Sequence, residues 1–596
     1  MSLQLILLST FALFQAATYN WDITYVKVNP TGTPRRAIGV NGAWPPPPLE
    51  VLLNDTFIVN VKNSLDIPTA LHAHGLFHNG TSYFDGAAGI TQCPIPPGAN
   101  FTYTIPIKQH GTYWFHAHLM GQYIDGLRTS LILRPPKEAY TYDEEYIISL
   151  SDWYNDEHSV LIDQFLSVYN PIGIEPVPNK GLINHKASGS EKFKFVPEKT
   201  YRLRIINMSA FAMFAFSIDG HDLEVIEVEG VDTNKLTVQT LELSAAQRYS
   251  VLVKAKNTTD TNYLLHADLL PDMFNSIPDG LELNLTATIQ YNENNTFGEA
   301  YAAANPLVAS VVLNDMDLIP LEVIPPFKPT RQISLEVVFQ THEDGKNYGT
   351  FNNRPFELPK NTPTVLSALT LGDQKTNAAL YGNAQAYILK HMEVIELLVL
   401  NTDGGSHPFH LHGHVFQVAA RGELPYNPAN VTADAANPLR RDTVIIPPAS
   451  YVTLRFVADN PGPWLFHCHI EWHLQSGLGV TFIEAPEAIK YDIPQFIKDQ
   501  CTVGGYGIEG NANGKLGIDM VGYIFTPGLM QYGIFTKGII SLVFCIFSAV
   551  VGIITIIWFA YDDIENSKQP DTAEANVNDN EINDTITNEE AISPVV

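Results

Sequence analysis

Basic charge is the first thing this chain is short of. Its 596 residues hold 35 Lys and Arg against 63 Asp and Glu, a formal net charge of −28 at pH 7. An acidic balance of that size argues against a nucleic-acid partner and favours cations as clients. Charge of either sign is low, at 16% of residues, whereas aromatics reach 11% and prolines number 40. That composition does not suit a helical bundle; it fits an all-β chain with many turns. Cysteine is scarcer still, with only Cys93, Cys468, Cys501 and Cys545. The chain is long enough for several domains and large enough to bury substantial cores.

Long apolar runs are confined to the two ends. Met1 to about Ala17 is too brief to span a bilayer comfortably and ends in small residues, which reads as a secretory signal peptide, residues 1–17. Gly538 to Ala560 runs 23 residues without a charge, the length of a membrane-spanning helix. Together they place residues 18–537 outside and 561–596, an acidic tail rich in Asn and Thr, in the cytosol; that tail reads as disordered. Eight Asn-x-Ser/Thr sequons before residue 500, at Asn54, Asn79, Asn100, Asn207, Asn257, Asn284, Asn294 and Asn430, agree with a secretory route.

What is present in quantity is histidine in pairs. The stretch Trp464-Leu-Phe-His-Cys-His-Ile-Glu-Trp-His473 reads as a strand in which side chains alternate faces, so His467 and His469 point one way and Cys468 the other. One run thereby feeds two metal sites. A thiolate with two imidazoles and a weak or absent axial ligand suits copper in an electron-transfer role, and Cys468 and His473 can supply two of those three donors. A lone Cys near His is more often a buried core thiol, but three further clusters weigh against that reading: His72-Ala-His74, His116-Ala-His118 and His407-Pro-Phe-His410-Leu-His412. The four motifs take ten of the 19 histidines.

In order and spacing these motifs, with Gly75-Leu-Phe-His-Asn-Gly, Asp85-Gly, Thr91-Gln-Cys-Pro-Ile and Gly111-Thr-Tyr-Trp-Phe around them, resemble the multicopper oxidases from about residue 20 to about 490. The resemblance implies an all-β fold of three cupredoxin-like Greek-key β-sandwiches plus one C-terminal transmembrane helix. The first sandwich is expected at 18–137 and the second, without a copper motif, at 138–300, where His221 and His266 read as structural. A connector at 301–330, the third sandwich at 331–486 and a Gly-rich stalk at 487–537 follow, ahead of the helix at 538–560. The second sandwich is expected to space the outer two so that their histidines converge.

Position by position, the resemblance implies four copper ions. His407, Cys468 and His473 match the type 1 ligands, His72 and His410 the type 2 ligands, and His74, His116, His118, His412, His467 and His469 the type 3 pair. Leu478 stands where some members have an axial Met, a change that raises the potential of the type 1 copper. Asp85 and Glu471 match positions implicated in proton delivery, and either also reads as an acid that holds a histidine by a hydrogen bond. With Cys468 on copper and Cys545 in the apolar run, Cys93 and Cys501 remain as the disulfide pair of an oxidising compartment.

For the electron donor, the C-terminal span, the acidic balance and Asn170-Pro-Ile-Gly-Ile-Glu-Pro176 look most like the fungal membrane-anchored iron-transport ferroxidases. That implies Fe(II) and O2 as substrates, an iron permease as partner, and a single-pass type I protein at the plasma membrane or the vacuolar membrane. Glu175 matches the principal iron carboxylate and Tyr381 a lesser contact. Two positions depart from the pattern: Asn275 replaces a second carboxylate, with Asp272 close by, and the short loop between Arg421 and Arg441 leaves Asp434 as the counterpart of a third. The alternatives are a laccase-like oxidase of phenols or Cu(I) on the same scaffold, which calls for an open apolar pocket beside His473, and a non-enzymatic adhesion or assembly subunit, which would have lost copper ligands.

Overall fold

The computed structural model describes residues 16–294, 311–430, 435–530 and 536–567. The signal-peptide reading falls largely on residues outside this set, as do Asp434 and most of the acidic tail. The chain divides into two units, one up to Met530 and one from Gln531 onward.

The larger unit is three β-sandwiches in succession. In the first, a four-stranded sheet built on Ala16–Val28 and Thr56–Asn63 faces a second four-stranded sheet containing Leu71–His74, Gly111–Ala117 and Arg128–Arg134. The second and third each pair a six-stranded with a five-stranded sheet. All three share a topological signature, one parallel strand pair in each sheet among antiparallel neighbours. In the first sandwich these are Ala16–Val28 with Thr56–Asn63 and Leu49–Leu52 with Arg128–Arg134. In the second they are Glu144–Trp153 with Thr200–Asn207 and Lys192–Lys194 with Asn284–Gln290. In the third they are Arg331–Thr341 with Val394–Asn401 and Ala386–Leu389 with Gly479–Glu484.

Burial separates outer strands from those between domains. Thr56–Asn63 alternates buried with less buried residues, the signature of one solvated face, whereas Leu71–His74, Gly111–Ala117, His407–Leu411 and Gly462–Cys468 are buried at every position. These four strands carry most of the histidine motifs. Their odd-face residues, such as Ala73, Phe115, Phe409 and Phe466, enter the principal hydrophobic core, which leaves the other face for the imidazoles.

The segment expected to be a stalk from 487 to 537 is, up to residue 530, part of the body. A helix at Gln495–Val503 carries Cys501, which is disulfide-bonded to Cys93 of the first sandwich. Further on, the Pro527 carbonyl accepts from His342 Nδ1 at 2.7 Å and the Tyr523 hydroxyl accepts from the Asn383 amide at 2.9 Å. Glycine turns let this strap follow the surface of the third sandwich instead of leaving it. In the second unit the helix Thr536–Asn566 contains Gly538–Glu565, of mean hydropathy 2.8, long and apolar enough to cross a membrane.

The sequons differ in what the fold allows. Asn207 is fully buried, its amide donating to the carbonyls of Ala212 (2.9 Å) and Leu243 (3.0 Å) while Oδ1 accepts from the Ser209 amide (2.9 Å). Asn54, Asn79, Asn100, Asn257, Asn284 and Asn294 are exposed. Peptide mapping of the secreted protein should therefore find Asn207 unmodified and glycans only among the exposed sequons; a glycan on Asn207 would contradict this packing.

Candidate copper centres

Strand register does the first assembly step. Antiparallel pairing sets His72 opposite His116 in the first sandwich, and His410 opposite His467 and Phe409 opposite Cys468 in the third. His118, His412 and His469 lie just past their strand ends, and His473 sits on the short helix Glu471–Gln475. The two histidine-bearing faces meet between the domains. The rings of His74 and His410 stack at 3.7 Å and those of His72 and His412 at 4.1 Å, each pair joining the first sandwich to the third.

Within this cluster the potential ligand atoms fall into groups: His72, His74 and His410; His74, His116 and His469; His118, His412 and His467. No group can be completed by one sandwich alone. The ring nitrogens are divided between two jobs. One nitrogen of each of several rings is held: His72 Nδ1 by the Asp85 carbonyl (2.6 Å), His410 Nδ1 by the Asp442 carbonyl (2.9 Å), His116 Nδ1 by the Ala117 carbonyl (2.9 Å) and His467 Nδ1 by the Cys468 carbonyl (2.9 Å). His412 Nδ1 is held by the Asp85 carboxylate (3.0 Å), and His74 Nε2 by the Asp442 carboxylate (3.1 Å). The opposite nitrogens of His72, His74, His116 and His410, together with His118 Nε2 and both nitrogens of His469, are buried without a partner. Buried polar atoms are rarely left so, and a bound cation would supply what they lack. Burial, then repulsion from neighbouring imidazoles, holds His74, His116, His467 and His469 well below the ordinary histidine range and His118 down to about 3. Neutral rings are the ligand form.

The second centre lies on the other face of the Cys468 strand. Sγ is 3.4 Å from His473 Nδ1 and 3.9 Å from His407 Nδ1, with the two nitrogens 3.0 Å apart. All three side chains are buried and form one three-donor group. Burial pushes the Cys468 thiol well up, so a cation is needed to hold it as thiolate. Leu478 is also buried, and its carbonyl accepts from the Cys468 amide at 3.1 Å.

Each imidazole of this centre points its remaining nitrogen at an acid nearer the surface. His473 Nε2 is 3.0 Å from Glu175 Oε1 and His407 Nε2 is 3.0 Å from Asp403 Oδ2. The histidines are 1% and 0% exposed, the carboxylates 21% and 32%, so the acids connect the buried centre to solvent. Glu175 comes from the second sandwich, on a loop tied to the third by Thr341 Oγ1 and Asn347 Nδ2, which donate to the Pro171 carbonyl (2.7 and 3.2 Å). Burial alone would raise the Asp403 carboxyl, but its hydrogen bond to His407 and two turn amides outweigh it and hold it at about 2.

Other expected residues lie elsewhere. Tyr381 is buried in a separate apolar cluster with Leu380, Phe356 and Leu465, its hydroxyl donating to the Lys375 carbonyl (2.7 Å), so it is not an open contact for iron. Asp272, by contrast, is exposed in the turn Pro271–Met273, which packs beside the His407 motif, Met273 accepting from the Ser406 amide at 2.9 Å. Asp403, four residues before His407, is the acid that sequence reasoning missed in favour of Asp434; its position in a tight turn next to a ligand motif was the available signal. Asp442 was missed as well. Glu471 is buried, which pushes its carboxyl up to about 7, and with His116, His118, His467 and His469 it lines a cavity of about 370 Å³ beside the cluster.

A three-sandwich fold with a histidine cluster between its outer domains and a Cys-His-His centre one peptide bond away defines a copper-dependent oxidoreductase. Family comparison agrees: multicopper oxidase profiles match residues 22–138, 144–294 and 357–488. This chain belongs to the multicopper oxidase family. It is 41% identical to the iron multicopper oxidase fer1 of Mycosarcoma maydis, covering 91% of this chain and 92% of that one. It is 42% identical to the iron transport multicopper oxidase fio1 of Schizosaccharomyces pombe, covering 92% and 90%. Among solved structures it resembles Fet3p, a multicopper oxidase that functions in iron import, with a TM-score of 0.82 at 36% identity over 87% of this chain and all of that one. The laccase of Botrytis aclada matches with a TM-score of 0.72 at 27% identity, over 82% of this chain and 92% of that one.

Replacing Cys468 with Ser should abolish the intense blue thiolate-to-copper absorption and stop turnover while the histidine cluster still loads with copper, read as metal content. Retained blue colour would contradict the three-donor assignment.

Proposed function

We propose that this protein is a membrane-anchored multicopper ferroxidase that oxidises Fe(II) to Fe(III), reduces O2 to water and feeds an iron permease in the plasma membrane. The observation that carries the reading is the pair of carboxylates, Glu175 and Asp403, on the outer nitrogens of the two imidazoles of the Cys468 centre. Carboxylates bind Fe(III) more strongly than Fe(II), so they attract the cation, favour its oxidised form and link it to the copper ligands by one hydrogen bond each. A phenol oxidase needs an apolar opening at this place; two acids occupy it.

His407, Cys468 and His473 hold the type 1 copper. His72 and His410 hold the type 2 copper, and His74, His116 and His469 with His118, His412 and His467 hold the type 3 pair. Four bound coppers supply one-electron storage, so that single electrons from iron meet the four-electron demand of O2. The chain links the two centres through the peptide bonds of Cys468, whose neighbours are His467 and His469. Four protons are also consumed, and in this reading Glu471 relays them; its position on the cavity beside the cluster supports that role. Asp85 holds the Nδ1 atoms of His72 and His412, the orientation that turns their Nε2 atoms into the cluster.

Oxygen uptake should be measured in parallel with Fe(II), Cu(I) and a phenol. Glu175→Ala and Asp403→Ala should each lower the Fe(II) rate constant roughly ten- to a hundred-fold, as expected for losing a charge-assisted contact of about 1.5–3 kcal/mol, and leave phenol oxidation nearly unchanged. Equal loss for iron and phenol would point to damage at the copper and refute the iron site. Glu471→Gln should slow oxygen consumption with every donor by about 10²-fold or more while the blue absorption persists; unchanged turnover would remove Glu471 from proton delivery.

A further inference from the structure

The second sandwich contributes none of the copper donors, yet it grips the residue that orients two of them. Asp442, in the third sandwich, mirrors Asp85 in the first. Each aspartate holds a histidine of its own sandwich with its backbone carbonyl, Asp85 with His72 (2.6 Å) and Asp442 with His410 (2.9 Å). Each then reaches across the domain boundary with its carboxylate, Asp85 to His412 (3.0 Å) and Asp442 to His74 (3.1 Å). The symmetry ends at what lies behind them. Asp442 receives both ends of the Arg248 guanidinium, Nη1 to Oδ1 at 2.8 Å and Nη2 to Oδ2 at 2.6 Å. The backbone amides of Asp442 and Thr443 both donate to Glu229 Oε2, at 2.9 and 2.8 Å, and Glu229 Oε1 accepts from Arg441 at 2.5 Å. Arg248 and Glu229 belong to the second sandwich, and both are buried, as is Asp442.

We propose that the second sandwich positions the trinuclear copper ligands through an Arg248–Asp442 clamp, seated on Glu229, that fixes the ring orientation of His74 and His410. The fork of Arg248 leaves the Asp442 carboxylate one rotation, and in it Oδ1 accepts from His74 Nε2–H. That contact selects the tautomer in which the lone pair of His74 Nδ1 faces the cluster. Arg248 Nε also donates to the Thr112 carbonyl of the first sandwich at 3.2 Å, so the clamp touches all three domains. The chain makes room for it directly after the histidine it orients. A Cβ on Gly75, at φ +88°, would lie 2.6 Å from Asp442 Oδ2 and 2.9 Å from Arg248 Nη2. Asp442 and Arg248 are positioning residues and meet neither O2 nor the electron donor.

This inference rests on the histidine cluster being the copper site, and the experiment separates the two. Wild-type full-length protein and the variants Asp442→Ala, Asp442→Asn and Arg248→Lys are purified in detergent and dialysed against a copper chelator. Metal content, the type 2 electron paramagnetic resonance signal and the blue absorption are then read. Asp442→Ala should retain cluster copper roughly ten- to a hundred-fold more weakly, with an altered or absent type 2 signal and full blue colour. Asp442→Asn should recover part of the retention, because its carboxamide oxygen still accepts from His74. Arg248→Lys, whose single ammonium cannot meet both oxygens, should fall between wild type and Asp442→Ala. Wild-type retention and type 2 signal in Asp442→Ala would overturn the clamp. So would joint loss of blue colour and cluster copper in all three variants, which would mark a folding role only. Absence of cluster copper from the wild type would overturn the copper reading beneath it.

Discussion

The rest of the structure depends on keeping a group of imidazoles out of water with their lone pairs turned toward one another. Left to themselves such rings repel, and each buried, unpartnered nitrogen costs on the order of 1–3 kcal/mol. The fold bears this by dividing the labour within each ring. Carbonyls and carboxylates hold one nitrogen, so that the other cannot turn away, and neutral rings face a space that suits cations. Bound metal would remove that cost, and would thereby be a structural component too.

That constraint explains why the site lies between domains. A single sandwich can present two histidine pairs on one sheet face, as Leu71–His74 and Gly111–Ala117 do. It cannot surround a cluster of metal ions, because a strand offers side chains in two directions only. Facing two such sheets across an interface closes the shell, and the strands involved are accordingly buried on both faces. The second sandwich is more than a spacer: it carries Glu175 to the Cys468 centre and Arg248 and Glu229 to the cluster.

The same strand geometry joins the two centres. Because side chains alternate, Cys468 opens onto one site and His467 with His469 onto the other, at the shortest covalent separation a chain can offer. At the outer end the carboxylates of Glu175 and Asp403 make the surface over the Cys468 centre acidic, in keeping with the overall charge of −28. On the proposed function, iron chemistry and copper chemistry would be linked by hydrogen bonds through two imidazoles.

Local spacing was enough to read the histidine pairs and Cys468 from the chain alone, because metal ligands on strands recur at a spacing of two and leave a mark in a short window; the three-sandwich fold and Glu175 came from the resemblance to the multicopper oxidases. The pairing of Cys93 with Cys501 followed once the other two cysteines had surroundings of their own. Asp403 and Asp442 left no such mark. An acid in a turn is common, and what singles these two out is that folding brings each within 3.1 Å of a histidine nitrogen. The same reason explains the failures. Tyr381 was placed by its neighbours in sequence, but it is turned into an apolar core. The 487–530 segment looked like a stalk because glycine and polar residues carry no periodicity, and only the disulfide and the hydrogen bonds to the third sandwich lay it along the body. Ligand identity is a property of the strand, whereas the partners that orient those ligands are chosen by contacts between residues hundreds of positions apart, which only the packing of three domains decides.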